Sequence, residues 1–191
     1  MNDWDKINFT SGTSEHPEPP VVSFLRSLTQ SLGNDIVILD IGPGRSGRHS
    51  RLVEDLGLGL VSVDVSHACR AHYHSDIQDM VFPEGAFDVV LDIKTLCQEP
   101  HPPYRRIHSW LKPLGYLFSM IPTDEHLTDS QAYDIRKHKS YEYEFMRMST
   151  EAEIREMLSD FSSVRLYKFL QPVRLDNGVK YLYSWCVEAQ K

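Results

Sequence analysis

Asp40, Gly42, Pro43 and Gly44 stand together in the stretch DIVILDIGPGRSGRHSRLVEDLG, and their types limit what they can do. Glycine has no Cβ, so backbone N–H groups in such a loop can come close to a ligand. A helix starting behind the loop turns its unpaired N–H groups toward the same place. Gly42, Gly44 and Gly47 also satisfy G-x-G-x-x-G, a dinucleotide pattern that is a weak signal in isolation. Asp64, closing the run GLVSVD about 20 residues beyond the loop, is placed to accept from the hydroxyls of a ribose. A ribose-bearing ligand is expected, and Asp40 narrows it. A carboxylate facing a pyrophosphate repels it, whereas the same carboxylate attracts an ammonium or sulfonium group.

The elements that must position these groups follow from pattern. Ile36 to Leu39 form a short apolar run rich in β-branched residues, as in a strand buried on both faces, predicted over about Ile36–Asp40. Leu52, Val53 and Leu56 repeat at helical spacing over about Arg48–Leu56, with Gly57 as the stop. Before them, Pro19 and Pro20 suit a helix start, and Val21, Leu25, Leu28 and Leu32 make one stripe ended by Gly33. Further strands are expected at about Leu60–Val65, briefly near His72–Ser75, at Phe87–Ile93 and at Gly115–Ile121, with a helix from about Pro103 to Leu111. Thr150-x-x-Glu153 is a capping box, followed by Ile154, Met157, Leu158 and Phe161 at helical spacing. Val164–Leu170 and Lys180–Glu188, joined through Asp176-Asn177-Gly178, read as a hairpin with Tyr181, Tyr183, Trp185 and Val187 on one face. Strands alternating with helices imply a parallel sheet covered on both sides.

With these runs in place, VILDIGPGRSGR resembles motif I of the class I S-adenosylmethionine-dependent methyltransferases, a hydrophobic strand followed by D/E-x-G-x-G. VSVDVS is similar to the family's acidic second strand end, and HSDIQDMVFPEGAFDVVLDIKTL to its third and fourth strands. IHSWLKPLGYLFSMIP is similar to its L-K-P-G-G turn and fifth strand, so the resemblance covers roughly residues 21 to 121. Ser46 and Leu114 stand where many members carry glycine. The resemblance implies a Rossmann-like three-layer α/β sandwich with a mostly parallel seven-stranded sheet and an antiparallel C-terminal hairpin strand. It implies one domain over residues 1–191, with an N-terminal arm at 1–18 and a substrate-side insert at 122–148. S-adenosyl-L-methionine would be the cofactor and S-adenosyl-L-homocysteine its product. Asp40 with the Gly42–Pro43–Gly44 backbone would lie at the methionine moiety, Asp64 at the ribose and Asp76 at the adenine amino group. Val65 and Ile77 would sandwich the ring, and Asp92 with Ile93 would close the site at the fourth strand end. More loosely, the trimmed fold and aromatic arm resemble the thiopurine and tellurite-resistance methyltransferases, which act on small molecules.

Composition sets bounds on partners. The 191 residues are 41% hydrophobic and 25% charged, ordinary for a globular protein, with a net charge of −7. That balance argues against broad nucleic-acid binding, which needs a basic face. Arg45, Arg48 and Arg51 recur beside the glycine loop, as a solvated helix face or with one of them turned to substrate. Three widely spaced cysteines point to neither a disulfide framework nor zinc, and no metal is expected. The N-terminus lacks signal-peptide character and no apolar run approaches a membrane span, so a cytoplasmic protein without membrane contact is expected. HPPY at His101–Tyr104 imitates a base-amine methyltransferase signature, but comes a turn or two after the fourth strand and reads as a helix start. His72 and His74 share a strand face without a full metal set.

The small-molecule methyl acceptor would meet the segments the core does not need. These are the arm with Trp4 and Phe9, and the insert with His126, Tyr141 and Tyr143 as candidate catalytic residues. Other readings stay open: a non-catalytic S-adenosylmethionine-binding partner protein, or an RNA-directed enzyme using Asp92 and Lys94 or Lys112. A nicotinamide enzyme is the reading that Asp40 opposes.

Overall fold

The structure, a computed structural model, describes residues 15–99, 101–123, 149–175 and 178–191. Seven strands form one sheet: β1 (Val37–Ile41), β2 (Gly59–Asp64), β3 (Tyr73–His74), β4 (Phe87–Ile93), β5 (Leu111–Pro122), β6 (Ser163–Leu175) and β7 (Gly178–Gln190). Their order is β3-β2-β1-β4-β5-β7-β6, and β7 is antiparallel to both β5 and β6. The remaining pairings, β3–β2, β2–β1, β1–β4 and β4–β5, are parallel. This is the expected Rossmann-like sheet with an antiparallel closing hairpin.

Period-two alternation divides the core into two layers. Leu39 and Ile41 on β1 join Val63, Val90 and Leu117 under α3 (Tyr104–Trp110) and α4 (Glu151–Met157). Ile36 and Ile38 join Val89, Leu91 and Phe118 under α1 (Pro19–Leu32) and α2 (Arg48–Asp55). Asp40 shares the phase of Ile38 and therefore points into the second layer, a fact that matters at the site.

Several elements depart from their expected bounds. On α1 the buried stripe runs through Phe24, while Leu32 is exposed. Helix α4 stops at Met157, and Leu158 and Phe161 reach the core from the turn that follows, where Ser162 N–H bonds the carbonyl of Gln190. Strand β5 begins already at Leu111. Leu114, in the position where many relatives carry glycine, adopts φ of 65° and is exposed. Strands β6 and β7 pair without a break from Ser163↔Gln190 to Leu175↔Gly178, longer than the apolar runs alone suggested. Tyr183 is exposed, while Trp185 and Val187 are buried. Cys69, Cys97 and Cys186 are buried. Among the described residues no helix is long and apolar enough to cross a membrane.

Candidate active site

Beyond the carboxyl ends of β1, β2 and β4, where the strand order reverses, lies a cavity of about 270 Å³. Its floor is the glycine loop: Gly42, Pro43 and Gly44 line it. Gly42 N–H donates to the Val63 carbonyl at 2.8 Å, locking the loop to β2. Gly42 and Gly44 have φ of 67° and 65°, in the left-handed region that favours glycine. A Cβ on Gly42 would meet the Thr95 side chain at 2.2 to 2.8 Å. The loop is thus a cradle that a larger residue would fill.

Asp64 and Val65 line the cavity from the end of β2. The Asp64 carboxylate accepts from Gly44 N–H at 3.1 Å and from Ser66 N–H at 2.8 Å, one on each oxygen. Each oxygen keeps a further lone pair for a ligand hydroxyl. Asp76 and Ile77 line the far end, and Asp76 Oδ1 accepts from Gln78 N–H at 2.8 Å. Glu99 reaches the same end. Its carboxyl is pushed above the usual range by burial and then by the neighbouring Asp76 charge. Ile93 completes the wall from β4.

Two expected residues do not line the cavity. Asp40, 1% exposed, sits beneath the loop because the pleat of β1 turns it toward α2, where Ser50 Oγ donates to it at 2.6 Å. Burial holds its carboxyl above the usual range, opposed by the nearby His49 charge and the Ser50 hydrogen bond. Asp92 is equally buried and caps the turn after β4, accepting from Thr95 and Leu96 N–H groups at 3.2 and 2.9 Å and from Ser119 Oγ at 2.6 Å. Both brace the loops rather than face a ligand. His126, Tyr141, Tyr143, Trp4 and Phe9 lie outside the described residues.

Further residues outside the expected cofactor set complete the wall. Of the three arginines, Arg48 lines the cavity whereas Arg45 and Arg51 are exposed. Buried Glu18, just before α1, holds the Arg48 guanidinium with both oxygens and His49 Nε2 at 2.6 Å. Lys94, Thr95 and Gln98 line the β4 side. Only the glutamate before two prolines, with an arginine–histidine pair opening the next helix, could have hinted at the Glu18 cluster. His72 and His74 are engaged locally, by Ser62 Oγ at 2.8 Å and the Ser66 carbonyl at 3.0 Å. Tyr104 opens α3 and is buried, while His101 is exposed. Among the described residues no group of three or more His, Cys, Asp or Glu could hold a metal ion.

A glycine cradle, a strand-end carboxylate with free lone pairs, a second acid further out and apolar walls between them fit S-adenosylmethionine. Fold and site together define an S-adenosylmethionine-dependent methyltransferase. The comparisons agree. A family model described as a methyltransferase domain matches residues 16–162, and the chain belongs to that family. No curated protein matches the sequence. Among solved structures, the chain is similar to a SAM-dependent methyltransferase of Methanosarcina mazei, with 19% identity, a TM-score of 0.64 and coverage of 92% of this chain and 98% of that one. It is also similar to the 1,6-didemethyltoxoflavin-N1-methyltransferase of Burkholderia thailandensis, crystallised with that compound and S-adenosylhomocysteine. That pair shares 21% identity at a TM-score of 0.60, covering 91% and 77% of the two chains. The YcgJ protein of Bacillus subtilis aligns at a TM-score of 0.71 and 14% identity, over 91% and 99%.

Proposed function

We propose that this methyltransferase acts on a small-molecule acceptor. The observation that carries the reading is the charge arrangement at the cavity. Arg48, the arginine that lines the cavity beside the glycine loop, is turned inward together with His49 onto the buried Glu18 carboxylate. Arg51 and Arg70 are likewise matched by Glu15 and Glu54. A polyanion such as RNA needs unopposed cations along a track, and with a net charge of −7 the molecule repels it. A compact acceptor entering a walled cavity meets no such obstacle. The Burkholderia enzyme, whose crystallised ligand is a small heterocycle, supports the same reading by likeness of fold.

In this reading Asp64 accepts from the ribose hydroxyls, Asp76 from the adenine amino group, and Val65 and Ile77 flank the ring. The Gly42–Gly44 backbone lies under the methionine portion. The bound cofactor supplies an electrophilic methyl group with a good leaving group. The chain therefore contributes position, exclusion of water and a proton acceptor where the nucleophile needs one. Asp40 and Asp92 act at one remove, the first by fixing α2 through Ser50 and the second by fixing the turn that carries Lys94 and Thr95.

Incubating the protein with methyl-labelled S-adenosylmethionine and the separated low-mass, RNA and protein fractions of a cell extract tests this directly. Label in the low-mass fraction is the expected result. Label only in RNA or protein contradicts it.

A further inference from the structure

Lys94 is the least conventional residue of the cavity wall. It follows directly on β4 and adopts φ of 63°, a left-handed conformation that residues other than glycine take only when their surroundings over-determine it. Those surroundings are present. Lys94 N–H bonds the Met120 carbonyl at 3.0 Å, the Lys94 carbonyl accepts from Gln98 Nε2 at 2.7 Å, and Asp92 pins the two next N–H groups. The ammonium nitrogen is held in turn by Gln171 Oε1 of β6 at 2.9 Å, a neutral partner 77 residues away. So Arg48 is neutralised by a carboxylate, which also bonds His49, while the described hydrogen bond of Lys94 Nζ goes to an amide oxygen and leaves its other Nζ positions for a ligand.

Resting on the methyltransferase reading above, we propose that Lys94 selects and activates an acceptor with a weakly acidic hydroxyl, a phenol or enol, by taking its proton and pairing with the oxyanion. The O–H bond breaks as its proton moves to the neutral Nζ. The oxygen electron pair then forms the O–CH₃ bond while the S–CH₃ bond of S-adenosylmethionine breaks and its electrons remain on sulfur. The ammonium returns the proton to solvent.

Three physical points favour this class. An amine acceptor becomes cationic as it is methylated and is repelled by an ammonium at its side, whereas an oxyanion becomes neutral. A thiol ionises close to neutral pH and needs little help, whereas phenols and lysine have matched proton affinities near pKa 10. Finally, partial burial pulls the Lys94 pKa down and makes the neutral amine accessible. The Glu18 charge opposes this and the Arg48 charge adds to it, with Cys97 and Cys186 as the other titratable neighbours.

The test uses the full chain saturated with S-adenosylhomocysteine, saturation being verified by calorimetry, and 4-nitrophenol as probe at a pH below its solution pKa. The wild-type complex should develop the absorption band of the phenolate. Lys94→Met should lose it, with apparent phenolate affinity down by about tenfold or more. Gln171→Leu, which leaves the lysine in place but unanchored, should weaken it and covers the case in which Lys94→Met does not fold. No phenolate band in the wild type, or an equal band in Lys94→Met, overturns the proposal while leaving cofactor binding intact. If S-adenosylhomocysteine itself fails to bind, the methyltransferase reading falls and the proposal with it.

Discussion

Glu18 and Asp92 are both buried carboxyl groups, yet their partners drive them in opposite directions. Burial alone would raise Glu18, but the hydrogen bond and charge of His49 and the Arg48 guanidinium outweigh it, lowering the pKa from 4.5 to about 2. Its stabilising contribution is present above pH 4.5 and is lost as pH falls toward 2, a swing of about 3 kcal/mol. For Asp92 burial wins over its donors Leu96, Ser119 and Thr95, raising the pKa from 3.8 to about 6. The folded state then holds a proton that the unfolded chain has released, so stability falls as pH rises through that window. Asp92→Asn keeps an oxygen for the two N–H groups and an amide that can donate to Ser119. Its stability relative to wild type should improve by about 3 kcal/mol between pH about 4 and about 8. Denaturant melts at the two pH values check this, and a difference independent of pH contradicts it. Asp64→Ala should lower S-adenosylhomocysteine affinity by about 1.5–3 kcal/mol without unfolding the chain, measured by calorimetry. Asp64, Gly42 and Gly44 were legible because a glycine loop after one strand and an acid ending the next form a recognisable spaced pattern. The Glu18–His49, Asp40–Ser50 and Lys94–Gln171 pairs were not, since their partners stand 31, 10 and 77 residues apart and meet only through the fold.

At the scale of elements, local signals located what exists and tertiary contacts decided where it ends. The capping box at Thr150 is present in full, with Thr150 Oγ1 accepting from Glu153 N–H and Glu153 Oε2 accepting from Thr150 N–H at 2.7 Å. Removing it by Thr150→Ala should cost about 1 kcal/mol. In a chain of this size that lowers Tm by roughly 2–4 °C, readable by calorimetric scanning, and an unchanged Tm would show that packing of Ile154 alone holds the helix. The helix nevertheless stops early, because the chain must turn to pair Ser162 with Gln190. Strand β6 runs past the expected Val164–Leu170 and through Pro172, which an outermost strand tolerates because the missing N–H can face solvent. The glycine loop makes the sharpest prediction here. Gly42→Ala adds a Cβ against Thr95 at a left-handed φ, so it should abolish measurable S-adenosylhomocysteine binding and lower Tm. Trimming Thr95 to Ala in the same protein should restore only part of the loss, because the backbone strain stays.

For the whole molecule, the parallel half of the sheet builds the cofactor side, and the antiparallel hairpin reaches back to it through Gln171. A mostly parallel sheet covered on both sides was legible because a parallel sheet buried on both faces needs continuous apolar strands. The inward turning of Arg48 onto Glu18 was not, because charge balance at a site is a property of assembled elements rather than of composition. The central claim is that this site is built for S-adenosylmethionine and not for a dinucleotide, and calorimetry tests it most directly. S-adenosylmethionine and S-adenosylhomocysteine should each bind the wild-type chain at low micromolar affinity, about −8 kcal/mol, with NAD failing to compete. Saturable binding of NAD that displaces both, or no binding of either S-adenosyl compound, would contradict the account.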